Sequence, residues 1–290
     1  MMEYKKQTIE ETEGYRLFTE GFDKNIDFLK HLSDLGTFNG RMITLFSESQ
    51  MHIVDNFLLD SAVRTLQSIK LTCSIGAFSD ANSLIRKLRD DLLLYVFLLE
   101  MAKNCPALNE DLSMRTTVSN DERAAVGWLT GKVDALPWPI KKKLAFENYM
   151  EYLKSDSNIH DTLVKHDLTT YWETLRGRLN DYVHNNGKQF TLHNIIQPFD
   201  KNLEVHFKNI EYRTSYIISF FLVLLTMVEG PLLMSTDLVD YLDMNMDPPE
   251  DCQYQIAPFV QQFIDEKVVK LHPELKGYLR DNNCYGMKIQ

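Results

Sequence analysis

The chain has 290 residues, of which 44% are hydrophobic, 11% aromatic and 25% charged. At roughly 150 residues per domain that is two units, or one large domain with appendages, and the apolar content excludes wholesale disorder. With 31 Lys and Arg against 41 Asp and Glu, the formal charge is -10. This excludes a protein built to coat nucleic acid nonspecifically, because that affinity comes from basic side chains displacing counterions from phosphate.

The first 14 residues are polar and acidic (Glu3, Glu10, Glu11, Glu13) and hold no apolar run that would serve as a secretion signal. Residues 1–50 are read as an N-terminal helical extension. Over 51–78, Val54, Leu58, Leu59, Ala62, Leu66 and Ile69 recur at three- and four-residue steps, the mark of one buried helix face. Ser79-Asp80 is the N-cap expected for a second helix carrying Leu84, Leu88, Leu92, Tyr95 and Leu99. Its stretch 92–99 is apolar all round, which places it at the centre of a bundle. It ends near Asn104, with Pro106 beyond.

Residues 105–167 change character and are read as an insertion of small helices, with a turn at Pro137-Trp138-Pro139 and the basic run Lys141-Lys142-Lys143. A third long helix is expected over 171–184, capped by Thr169-Thr170 and stopped by Asn185-Asn186-Gly187. A fourth spans 202–229 and halts at Gly230-Pro231. The remaining stretch, 234–290, is a C-terminal extension. It holds an acidic segment, 235–251, expected as a solvated loop, an amphipathic segment, 257–269, and a strand-like ending, 285–289. The fold class is therefore all-α, a four-helix up-down bundle within 51–233.

The longest apolar run, 216–228, is short of the roughly 20 residues that cross a bilayer, so no membrane association is expected. Cys73, Cys105, Cys252 and Cys284 lack paired spacing, which favours reduced thiols and a cytoplasmic location.

Several motifs break when counted. Gly127 to Lys132 approaches a phosphate-binding loop, but has three residues between its glycines where four are needed, and Val133 stands where Ser or Thr should be. Asp243, Asn245 and Asp247 start like a calcium loop, yet Pro248 and Tyr254 occupy the positions of the turn glycine and the closing glutamate. No HExxH or GxSxG occurs, and His160 and His166 do not share a helix face.

The segment Arg178-Leu179-Asn180-Asp181-Tyr182-Val183-His184 carries more chemistry. On a helix, Arg178 lies about 9 Å along the axis from His184. An imidazole can exchange protons near neutral pH and a guanidinium can stabilise charge on phosphate oxygens. A solvated helix face is the plainer account of the same two residues.

Together with the preceding helix, Ser79-Asp80-Ala81-Asn82-Ser83-Leu84-Ile85-Arg86-Lys87-Leu88-Arg89-Asp90-Asp91, this motif resembles the HEPN superfamily over about 120 residues, 51–104 and 168–233. Its signature is an Arg followed by four to six residues and a His near the end of the third core helix. Arg178 and His184 enclose five. The family often has a polar residue directly after the Arg, where this chain has Leu179, with Asn180 next.

The resemblance implies a compact four-helix domain acting as a metal-independent endoribonuclease of an abortive-infection or toxin–antitoxin system, with no cofactor. Its products would carry 2′,3′-cyclic phosphate. It implies His184 as general acid or base, Arg178 on the scissile phosphate, and a homodimer whose two motifs line one cleft. RNA and an antitoxin or other protein would be its partners. Asn180 would orient the His184 ring or touch RNA, and Arg86 and Arg89 would add positive potential or simply pair with Asp90 and Asp91. The alternative is a noncatalytic RNA- or protein-binding module of the same fold.

Overall fold

A computed structural model of the chain describes residues 7–38, 42–47, 50–109, 113, 115 and 117–290. Glu3 lies outside them. Helix α1 (Glu13–Phe38) buries Phe18, Phe22, Leu29 and Leu32, a stripe at helical spacing. An antiparallel hairpin follows, β1 (Ile43–Ser47) and β2 (Gln50–Val54), with Ile43 opposite Val54. Helices α2 (Phe57–Ser74) and α3 (Phe78–Asn104) come next.

The helix expected from residue 51 therefore begins six residues later. Ile53 and Val54 are β-branched and pair across the ribbon with Thr44 and Ile43, and the Asp55 carboxylate accepts from the Phe57 N–H at 3.0 Å.

The insertion holds α4 (Asn120–Leu129), α5 (Trp138–Lys141), α6 (Phe146–Leu153) and α7 (Ser157–Lys165). Gly127 sits inside α4 rather than in a loop. Lys141 and Lys143 are paired with Asp134 at 2.7 Å and Asp121 at 3.2 Å. Then come α8 (Leu168–Val183), α9 (Lys188–Leu192) and α10 (Leu203–Glu229), the last running into a 3-10 turn, Gly230–Leu233. The stretch Leu203–Leu233 has the length and apolarity to cross a membrane, yet 94% of its apolar window is buried inside the fold.

The acidic stretch 235–251 is not all loop: it forms α11 (Asp237–Asp243), a helix with no buried residue. The expected amphipathic segment is α12 (Pro258–Phe263), a π-helical turn (Ile264–Val268) and α13 (Val269–Leu271). After α14 (Leu275–Asn282) the expected terminal strand reduces to a single bridge between Lys288 and Gln255.

Every residue of α3 from 92 to 101 is buried, so other elements cover the helix on all sides. α2 lies antiparallel to it, with Lys87 near Ser61 and Tyr95 donating to Asn56 at 2.9 Å. α6 stacks Tyr149 on Phe97 and sets Tyr152 edge-on to the same ring. α8 and α10 are antiparallel to each other: Trp172 stacks on Phe220 at 4.2 Å, and Tyr182 lies over Arg213 at the other end.

Within the N-terminal stretch read as a helical extension, α1 contacts the core directly. α1 packs between α2 and α10 as a wall of the same core, through Lys70–Asp23 at 2.7 Å and Asn25–Ser215 at 3.1 Å. Its aromatic stripe explains this, since Phe18 stacks on Phe207 of α10 at 4.9 Å.

The start of α3 is capped from far away in the chain. Asn194 accepts from the Asp80 N–H at 3.0 Å and donates to the Asp80 carboxylate at 2.9 Å, and the Phe78 N–H donates to the His193 carbonyl. Ser79 and Asp80 thus lie inside the first turn rather than at the cap. Asn194→Ala is expected to cost about 1 kcal/mol of stability, read as a lower urea midpoint with an unchanged slope.

Candidate functional site

α8 begins at Asp167, which is left-handed (φ 46) and accepts from Thr170 Oγ1 at 2.6 Å. It buries Trp172, Leu175, Leu179 and Tyr182 along one stripe. At the far end Asn185 turns left-handed (φ 50), its N–H reaching the Tyr182 carbonyl, while the Asn186 N–H reaches the Asp181 carbonyl at 3.0 Å. These two bonds form a Schellman closure and hold His184 at a defined helix end.

Arg178 and His184 are both exposed. Six residues apart, they are separated by about 9 Å along the axis and about 120° around it, so they leave α8 on neighbouring sectors. Among the described residues neither side chain has a hydrogen bond or an ion pair. Arg176 differs, being tied to Glu173 at 3.0 Å and Glu147 at 2.6 Å.

The supporting residues go elsewhere. Asn180 is half-buried, its Oδ1 sealed from solvent without a partner among the described residues. It meets His184 only through the backbone, where the His184 N–H donates to the Asn180 carbonyl at 2.9 Å. Arg89 is 2% exposed, donates to Asp90 Oδ1 from Nε and Nη2, and lies 3.9 Å from the Phe146 ring centre. Burial lowers the Arg89 pKa and raises that of Asp90. Arg86 reaches the same carboxylate at 3.8 Å. The structure thus gathers Arg86 and Arg89 on Asp90 and away from the exposed end of α8.

A second group of chemically capable residues lies beneath that end. Arg213 of α10 is buried, donates to Asn82 Oδ1 of α3, and sits 5.6 Å from the Tyr182 ring centre. Among the described residues no carboxylate pairs with it. The Tyr182 hydroxyl and His193 Nδ1 are 3.3 Å apart, the His193 and His206 rings 4.7 Å apart, and His206 stacks on Phe78.

Burial first, and the Arg213 cation second, hold His193 below the usual imidazole range. Burial, then His193 and Arg213, push His206 down to about 4, against Asp200. Sequence reading missed these residues because 13 positions and a helix break separate the two histidines. A polar signal was present: Asn82 shares a helical stripe with Phe78 and Ile85, and Arg213 shares one with Ile210 and Ile217.

The His206 shift sets a pH dependence. In the folded chain it stays neutral down to about 4, whereas the unfolded chain takes up its proton near 6.5. Between these values the unfolded state binds more protons, so stability falls as pH drops through this window. His193, Arg213 and Asp200 are the charged or titratable groups facing it. The loss, discounted for partial exposure, is about 1–2 kcal/mol. His206→Phe is expected to remove that slope, read as the difference between wild-type and variant urea midpoints from pH 7 to 4.

Among the described residues no group of three or more His, Cys, Asp or Glu is placed to hold a metal ion. Compared with known proteins, the chain matches no family model, no curated protein and no solved structure.

Proposed function

We propose that this chain is a HEPN-like endoribonuclease of a defence or toxin–antitoxin system, working through Arg178 and His184 without a metal ion. The observation that carries the reading is the state of those two side chains. Both are exposed and uncommitted at a rigidly closed helix end, while Arg16, Arg86, Arg89, Arg115, Arg176 and Arg280 are each paired with a carboxylate.

In this reading the neutral His184 imidazole removes the proton of a ribose 2′-hydroxyl. That oxygen attacks the adjacent phosphorus, and the bond to the 5′-oxygen breaks. The leaving oxygen takes up a proton, giving a 2′,3′-cyclic phosphate and a 5′-hydroxyl. Arg178 donates hydrogen bonds to the nonbridging oxygens as charge builds on them. A second copy, packed against the same end of α8, supplies the facing wall of the cleft.

One observation favours a noncatalytic RNA- or protein-binding module instead. Leu179 is fully buried, so the position where the related motif often carries a polar group belongs to the core here. Incubating the purified full chain with total RNA separates the two. The nuclease reading expects fragments with cyclic phosphate ends. An absence of cleavage by wild type, or equal cleavage by His184→Ala, overturns it and leaves the binding module.

A further inference from the structure

A cavity of about 310 Å³ opens between α10 and the helical run 258–271. That is the lower end of the size range of small-molecule sites. Its polar lining is unusual for an acidic protein: Lys208, Lys267 and Lys270 face it, with Glu211 as the one carboxylate.

Two of these lysines are weakly engaged. Lys270 has no ion pair among the described residues. Lys208 reaches Glu204 only at 3.9 Å, with both side chains largely exposed, a pairing that contributes next to nothing. Lys267 is 10% exposed, and its Nζ makes three long contacts, 3.3 Å to Glu211, 3.4 Å to Ser215 and 3.5 Å to the Gly21 carbonyl. It belongs to the π-helical turn Ile264–Val268. Such turns sacrifice regular hydrogen bonding and recur at functional sites.

Ser219 lies at the base of the cavity. It is 1% exposed, and its hydroxyl is sealed from the cavity with no hydrogen-bond partner among the described residues. Tyr212 stands at the cavity with half its surface open, braced edge-on by Tyr171 at 5.4 Å.

We infer that this cavity binds a nucleoside phosphate, the base stacking on Tyr212 and the phosphate held by Lys208, Lys267 and Lys270. Flat rings stack on an exposed tyrosine whatever the base, and three ammonium groups around one acid select an anion.

The site stands on α10 and needs no RNA cleavage. It also adjoins the exposed face of α8. Tyr171 belongs to α8, and Arg178 follows seven residues later, on nearly the same line and about 10 Å further along. The ligand is therefore either a free nucleotide or one unit of a strand that continues towards Arg178.

The test is calorimetric titration of the full chain with adenosine 5′-monophosphate, inorganic phosphate as control, and a 5′-phosphorylated hexa-adenylate as competitor. The expected result is saturable binding of the mononucleotide, with phosphate about tenfold weaker or worse. Tyr212→Ala, and separately Lys208→Gln with Lys270→Gln, should each weaken the mononucleotide about tenfold at an unchanged melting temperature, since all three residues are exposed.

Displacement by the hexamer assigns the site to a strand, and its absence to a free nucleotide; both support the site. No binding at millimolar mononucleotide, unchanged affinity in the variants, or phosphate binding as tightly as the nucleotide overturns it. A chain that binds the mononucleotide but cuts no RNA keeps this site and loses only the nuclease.

Discussion

In the proposed nuclease, His184→Ala is expected to lower RNA cleavage by about 10²–10⁴-fold, the range a positioned general acid or base supplies, with the melting temperature unchanged. The second half of that result follows from the geometry. The His184 ring is exposed and bonded to nothing among the described residues, and the helix end is closed by backbone bonds of Asn185 and Asn186, which an alanine at 184 leaves intact. Substitutions at such places usually change stability by no more than about 0.5 kcal/mol.

Arg178→Ala should cost about as much. Arg178→Lys recovers only part of it, because an ammonium cannot grip two phosphate oxygens in one plane. In the double variant the losses should not multiply, since both groups act on one transition state. Rates on a fluorescent RNA substrate read all four proteins. Losses that multiply would place the two residues at separate tasks, and unchanged rates in both single variants would dispose of the mechanism.

Asp90→Ala is expected to cost about 3 kcal/mol, to be read as a fall in the guanidinium midpoint at constant slope. Removing this carboxylate leaves the Arg89 guanidinium, 2% exposed and stacked on Phe146, without its counter-ion inside the protein. Uncompensated buried charges cost about 3–5 kcal/mol. The lower end applies because Asp90 is itself 34% exposed.

Arg89→Met is expected to behave quite differently. It removes the charge along with the need for a partner and keeps most of the side-chain volume, so stability changes little. Cleavage by Arg89→Met should equal wild type, because the guanidinium lies on the core side of α8 and cannot meet RNA. A large loss of cleavage in a stably folded Arg89→Met would return Arg89 to the site.

Sequence periodicity identified the helices whose pattern is strong: α3, with its fully apolar second half at the centre, and α8 and α10. It also placed the stop of α8 at Asn185. These features are local. A three- and four-residue rhythm marks a buried face, and cap residues act within one turn of themselves. The same rhythm says that a face is covered but not what covers it.

That second question was answered only by contacts between residues far apart in the chain. α1 became a wall of the core through Asn25 and Ser215, 190 residues apart. Arg213 met Asn82 across 131 residues, which gathered Tyr182, His193 and His206 under the end of α8. Arg89, a surface cation by composition, went inside because α6 brought Phe146 over it. Residue identity and short-range spacing decided which segments coil and where they stop. Three-dimensional packing decided which charges stay wet, which are desolvated, and which side chains share a cavity, because desolvation and Coulomb energy depend on distance in space rather than along the chain.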